Sequence, residues 1–174
     1  MSFAPPRRLP WLLGLSALIL LADRFTKTWV AAHIRLGSAI PVIPSVLRIT
    51  HVANHGTSFS FFADSATPHL VQWTLIGLLS LAAFGILVVM VRLGCRVTCT
   101  SVALALILGG TLGNLHDHIA YGSVVDFIEV HIFSYHWPDF NIADIANVSS
   151  LCLLLLGAMT RTEIVQPQFP EAAQ

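Results

Sequence analysis

The chain has 174 residues, of which 55% are hydrophobic and only 10% charged, with nine basic and nine acidic side chains in balance. A water-soluble domain carries about a quarter charged residues, so this composition excludes a free-standing soluble domain and predicts a chain largely covered by lipid. A net charge of zero with no basic block excludes nucleic acid as a partner.

Four runs are long enough to cross a bilayer, for which a helix needs roughly 20 mostly apolar residues. The first runs from Trp11 to about Ala32. Arg7 and Arg8 ahead of it also fit a secretory signal peptide, but no small-x-small cleavage site follows and the apolar character resumes after Lys27. Asp23 and Lys27 in this span are one helical turn apart, acid before base. They read either as a self-neutralised pair or as a brace behind a site.

The loop from about His33 to His69 contains a predicted strand, Val46 to Val52, rich in β-branched residues. Next comes NHGTSFSFF, starting at Asn54. Gly56 permits a tight turn or a close backbone approach. Asn54 offers both donor and acceptor groups that could hold a peptide carbonyl. Phe59, Phe61 and Phe62 fit an interface anchor or a greasy substrate path.

The second and third spans are predicted at about 70–91 and 97–115. Gly109 and Gly113 form a small-xxx-small pair suited to close helix packing. Asn114 and Asp117 then fall where this helix should leave the membrane, to cap its end or to hold a site together. Val124 to Ile132 reads as a strand, with a return strand before Pro138. The fourth span is predicted at about 142–159, with Asn141 as its N-cap and Asp144 in its first turn.

Asp126 and Asp144 are the sharpest chemical signal. Each lies at the edge of an apolar segment, in VVDFI and FNIAD, and a carboxylate near lipid is rarely kept without a use. Close together they would repel, leaving one protonated beside an ionised neighbour. An aspartic peptidase needs that arrangement: one group takes a proton from water and the other donates toward the carbonyl oxygen. The helix dipole favours Asp144 as the ionised base. Two separate structural carboxylates remain the alternative. The histidine pairs His51/His55, His116/His118 and His131/His136 offer a rival metal reading, but no spacing matches a strong zinc signature and no metal is expected. Cys95, Cys99 and Cys152 read as small hydrophobes in or beside the spans.

Arg7, Arg8, Arg92, Arg96 and Arg161 all fall on one side if the four runs cross, which predicts that side to be cytoplasmic. Both termini then lie in the cytoplasm, and both aspartates at the opposite face. The fold class expected is an all-α polytopic membrane protein of four transmembrane helices with a small extracytoplasmic β-structure. Residues 1–10 and 161–174, with Pro5, Pro6, Pro167 and Pro170, are expected to be disordered tails around one membrane domain at 11–160.

Taken in order, DRFTK (Asp23 to Lys27), NHGTSFS (Asn54 to Ser60), GGTLGNLHDH with GSVVDFI (Gly109 to Ile128) and HWPDFNIAD (His136 to Asp144) resemble the lipoprotein signal peptidase family, also called signal peptidase II. The resemblance covers nearly the whole domain. It implies an aspartic endopeptidase of the bacterial inner membrane, needing no cofactor or metal. Such an enzyme cuts the signal peptide from diacylglyceryl-modified prolipoproteins just before the lipidated cysteine, and is inhibited by the cyclic peptide globomycin. Asp126 and Asp144 match the family's catalytic pair, and Asp23, Lys27, Asn54, Gly56, Asn114 and Asn141 match its supporting positions. The chain departs from the pattern at His118, where arginine is usual after the aspartate (Asp117 here), at Ser58 in place of alanine, and at Arg24 in place of glutamine. Two other readings are a catalytically weak or inactive paralogue that binds lipidated peptides, and a small proton-coupled transporter.

Overall fold

The computed structural model describes residues 8–56, 68–93, 97–133 and 135–162. The elements in chain order are α1 (Leu9–His33), β1 (Ala39–Ile43), β2 (Leu47–Asn54), α2 (Pro68–Leu93), α3 (Cys99–Tyr121), β3 (Val124–Ile132), β4 (Tyr135–His136) and α4 (Ile142–Thr162). All four helices are long and apolar enough to cross a membrane, so the chain is a multi-pass membrane protein. Residues 1–7 and 163–174 of the expected tails and the stretch holding Ser58, Phe59, Phe61 and Phe62 lie outside the described residues, as does Cys95, whereas Leu9, Pro10, Arg161 and Thr162, expected in the tails, belong to α1 and α4.

Helix α3 is the hub, packed against α1, α2 and α4. Half of its membrane-length window is buried, against 11–17% for the other three helices. Small side chains explain that position. Lipid tails are as apolar as leucine, so helices in a bilayer associate by close packing. A Cβ on Gly109 would lie 2.6 Å from the Ser16 carbonyl of α1, and one on Gly110 would lie 2.5 Å from the Ala143 carbonyl of α4. The large apolar side chains of α2, such as Trp73, Leu78, Leu81 and Phe84, face outward, where lipid replaces water.

Helix α3 runs six residues past the expected end at 115, closing at Tyr121 with Gly122 in the left-handed region as its cap. Asn114 and Asp117 therefore lie within the helix, and neither caps it. Its N-terminus is a capping box: Thr98 accepts from the Ser101 N–H, and Ser101 Oγ accepts from the Thr98 N–H.

The strands form one antiparallel sheet in the order β1-β2-β3-β4. β1 was not expected from the sequence; β2, β3 and the short return strand β4 were. Both sheet-forming segments, between α1 and α2 and between α3 and α4, leave and re-enter the helices at the same end of the bundle. Val30 of α1 and Ile34 just after it pack on Phe127 of β3, which seats the sheet on that end.

Candidate active site

Asp126 and Asp144 reach one cavity of about 600 Å³ from two different elements. Asp126 comes from β3 and Asp144 from the first turn of α4. Asn54, Gly56, Asn114 and His118 also line the cavity, with Leu75 and Val148 as apolar walls and Tyr135, Trp137, Pro138, Asp139 and Phe140 along one side.

Three asparagine amides aim their donors at the two carboxyl groups. Asn54 Nδ2 donates to Asp126 Oδ2 at 2.8 Å, and Asn141 Nδ2 donates to Asp126 Oδ1 at 2.7 Å. Asn114 Nδ2 donates to Asp144 Oδ1 at 3.0 Å. Each amide oxygen accepts from a donor elsewhere, which fixes which end of the amide faces the acid. Asn54 Oδ1 accepts from the Gly56 N–H, Asn141 Oδ1 from the Asp144 N–H, and Asn114 Oδ1 from Lys27 Nζ. The first of these turns depends on Gly56, whose φ of 86° suits glycine, and where a Cβ would press on Leu75.

The start of α4 is a reciprocal cap. Asn141 Oδ1 accepts from the Asp144 N–H at 3.0 Å, and the Asn141 N–H donates to Asp144 Oδ2 at 3.2 Å. Asn141 thus serves as the N-cap the sequence predicts. At the N-terminus of α4, Asp144 accepts from the Asn141 N–H and from Asn114 Nδ2, a setting suited to a negative charge.

Burial pushes the Asp126 carboxyl up to about 6, and the neighbouring charge of Asp144 adds to that rise. The amides of Asn54 and Asn141 and the charge of Lys27 work in the opposite direction. This is the environment of a carboxyl group able to hold a proton near neutrality beside a second acid.

Behind the pair lies a buried ionic network on α1 and α3. Lys27, 1% exposed, has Asp23 Oδ2 and Asp117 Oδ2 each at 2.8 Å and Asn114 Oδ1 at 2.9 Å. The ammonium thus has three oxygens around it and donates a hydrogen bond to Asn114 Oδ1. The Asp23 contact is an ion contact lying off the hydrogen-bond direction. Asp23 Oδ1 also accepts from the Ala143 N–H at 3.0 Å, so the same carboxylate fixes the start of α4. Arg24 pairs with Asp117, which balances the network at two cations and two anions. Asp23 and Lys27 are therefore a brace for the site as well as a pair. Asn54, a candidate from the sequence to hold a peptide carbonyl or an aspartate, donates to Asp126.

His118 is among the residues lining the cavity, and its buried Nδ1 has no hydrogen-bond partner among the described residues. Its carbonyl accepts from Gln72 Nε2 at 3.1 Å, tying α2 to the site. The wall over Asp126 was not singled out residue by residue from sequence. Thr50 Oγ1 donates to Asp139 Oδ1 at 2.6 Å, and Phe140 pairs with Ile128, which holds the Trp137–Phe140 segment against the sheet. The sequence signal for this wall is the HWPDF block, His136 to Phe140.

The family model described as signal peptidase (SPase) II matches residues 15–160. The chain is similar to the lipoprotein signal peptidase of Blochmanniella pennsylvanica, 39% identical over 80% of this chain and 82% of that one. It is also similar to the lipoprotein signal peptidase of Acinetobacter baumannii, 42% identical over 87% of this chain and 84% of that one. A solved bacterial membrane enzyme shares the fold with a TM-score of 0.81 at 22% identity, covering 97% of this chain and 99% of its own. A second bacterial membrane enzyme gives a TM-score of 0.69 at 26% identity, over 86% of this chain and 93% of its own. With matching sequence blocks, four spans and a family match across most of its length, the chain belongs to the signal peptidase (SPase) II family.

Proposed function

We propose that this chain is an aspartic endopeptidase that removes the signal peptide from diacylglyceryl-modified prolipoproteins, with Asp126 and Asp144 as its catalytic pair. The observation that carries the reading is the shared cavity. Two carboxyl groups from separate elements enter it, each held by dedicated asparagine donors, and burial raises one of them to about 6. Membership of the family supports the substrate class.

In this mechanism Asp144 takes a proton from a water molecule as its oxygen attacks the scissile carbonyl carbon. Asp126 gives its proton to the carbonyl oxygen, and a tetrahedral diol forms. The diol collapses as Asp144 passes the proton it took from water to the leaving nitrogen, the C–N bond breaks, and a diol hydroxyl returns its proton to Asp126, which restores the starting protonation of the pair. Asn54, Asn114 and Asn141 orient the carboxyl groups, and Lys27, Asp23, Asp117 and His118 position those asparagines and the cavity wall.

The bundle end that carries the site is the extracytoplasmic end in this reading. Arg8 and Arg92 lie at the opposite end of the spans, which the positive-inside rule assigns to the cytoplasm of a bacterial inner membrane, together with both termini. A signal peptide, itself an apolar helix, reaches the cavity by lateral diffusion. The acyl chains of the lipidated cysteine lie against membrane lipid and the apolar helix faces, and cleavage falls just before that cysteine. Globomycin-type cyclic peptides are expected to compete for the same cavity.

The test is a cleavage assay of purified protein in lipid or detergent, using a diacylglyceryl-modified prolipoprotein beside an unlipidated control. The expected result is lipid-dependent cleavage lost in both Asp126→Asn and Asp144→Asn. Cleavage that survives both substitutions would overturn the assignment of the pair. Binding of the lipidated substrate without cleavage by the intact chain would favour a non-catalytic paralogue.

A further inference from the structure

The face of β3 turned away from Asp126 carries a second cluster of reactive side chains. Side chains alternate along a strand, so Glu129 and His131 share the face opposite Asp126, and the β3/β4 register sets His136 directly across from His131. One ligand atom from each of the three lies within 4.8 Å of the others. His131 and His136 approach edge to face, with ring centroids 4.6 Å apart, and both present Nε2 to Glu129 Oε1.

We propose that Glu129, His131 and His136 form a binding site for a divalent transition-metal ion of the zinc type, separate from the aspartate pair. Two imidazoles and one carboxylate suit zinc, copper or nickel and not calcium or magnesium, which prefer all-oxygen shells. Three protein ligands with one position open to water is a common zinc arrangement.

Three observations support it. First, the spacing is close to that of a shared ion: tetrahedral bonds of about 2.0–2.1 Å put neighbouring ligand atoms ~3.3 Å apart, His131 Nε2 lies 3.2 Å from Glu129 Oε1, and His136 Nε2, hydrogen-bonded to the same oxygen, needs only to draw back from it to admit the metal. Second, His131 Nε2 is buried and meets Glu129 Oε1 outside good hydrogen-bond geometry. A buried polar atom without a well-placed partner is costly, and a metal bond directed off the N–O line would satisfy it. Third, Glu129 already has an orienting partner of the kind that metal ligands use. Arg48, opposite it in the β2/β3 register, donates Nε to Oε2 and Nη2 to Oε1 at 2.7 Å. A metal on Oε1 displaces the second bond and leaves the first to fix the carboxylate.

The consequence falls on the cavity wall. β4 is only two residues long, and His136 stands between Tyr135 and Trp137, which line the cavity. A metal joining His136 to β3 would pin this wall from behind, making the site a structural staple for the cavity and not a part of its chemistry.

The experiment uses the full chain purified in detergent and stripped with chelator, titrated with zinc chloride by calorimetry and with cobalt chloride by visible absorption. The expected result is one zinc ion per chain, tetrahedral cobalt bands, and binding at least tenfold weaker in His131→Ala and in His136→Ala. His33→Ala, at an exposed helix end, should leave binding unchanged. Melting of the metal-free variants checks that they fold, and His131→Asn replaces His131→Ala if that variant does not. No binding by the intact chain overturns the proposal. So does zinc binding that both histidine variants retain, which would place the ion elsewhere.

Discussion

Lys27 is joined to Asp144 by a single side chain. Asn114 accepts from Lys27 Nζ at 2.9 Å and donates to Asp144 Oδ1 at 3.0 Å, so a buried cation on α1 fixes the direction of an amide that faces an acid on α4. Replacing Asn114 with alanine removes the only side-chain donor to Asp144 among the described residues without touching the acids. In the proposed mechanism this donor positions Asp144 in the transition state more than it binds substrate. Asn114→Ala should lower kcat by roughly 10- to 1,000-fold, the range for losing one preorganised donor, with KM little changed. Steady-state kinetics on a lipidated substrate checks this. A rise in KM at constant kcat would show that Asn114 contacts substrate instead.

The same lysine holds the fold together. Asp23 and Asp117 are both fully buried, and Lys27 is the cation they share. Removing one partner of a buried ionic group leaves an uncompensated charge and costs about 3–5 kcal/mol. Lys27→Met should therefore lower Tm sharply in detergent. Adding Asp23→Asn should recover part of the loss, because an asparagine oxygen can still accept from the Ala143 N–H that Asp23 now satisfies. Equal melting of the single and double variants would show that Asp23 is not the group left unpaired.

Much of this was legible in sequence, because its signals are local. Span lengths follow from apolar runs, and the Asn141–Asp144 cap is written at a three-residue spacing. What was hidden depends on distant partners. Asn114 and Asp117 resemble a helix exit because polar residues inside a span look misplaced. Their partners Lys27 and Arg24 lie 87 and 93 residues away and turn that stretch into buried helix. β1 was hidden for another reason: Pro41 argues against a strand, yet β1 is an edge strand, where proline is tolerated. Glu129 and His136 carry no recognisable spacing until the register of β3 and β4 brings them together.

Close packing around α3 makes a further prediction. A Cβ on Gly110 would meet the Ala143 carbonyl at 2.5 Å and Asn147 Oδ1 at 2.6 Å, and the first of these is backbone that cannot swing away. Gly110→Ala should force α3 and α4 apart and cost roughly 1–3 kcal/mol, the usual range for overpacking. Because Asp144 is in the first turn of α4, activity should fall with stability. Gly85→Ala on α2 is the control, since nothing lies within 4 Å of its Cβ position. It should melt at or slightly above the parent, given the better helix propensity of alanine. A Gly110→Ala variant as stable as Gly85→Ala would rule out this packing constraint.

The proton on Asp126 sets the expected pH dependence. Its carboxyl is raised to about 6, by burial first and by the charge of Asp144 as well. If Asp126 supplies the proton to the scissile carbonyl, the active form predominates below about pH 6 and is lost as pH rises through that value. The alkaline limb of kcat/KM, which reports the free enzyme, should then fall about tenfold per pH unit. The Asn54 amide donates to Asp126 Oδ2 and works to lower its pKa. Removing that donor makes the ionised form less favourable, so Asn54→Ala should move the alkaline limb to higher pH while reducing the maximal rate. A downward shift, or no shift with a reduced rate, would mean that the limb belongs to another group. Asp126 would then not be the proton donor, even if its substitution abolished cleavage.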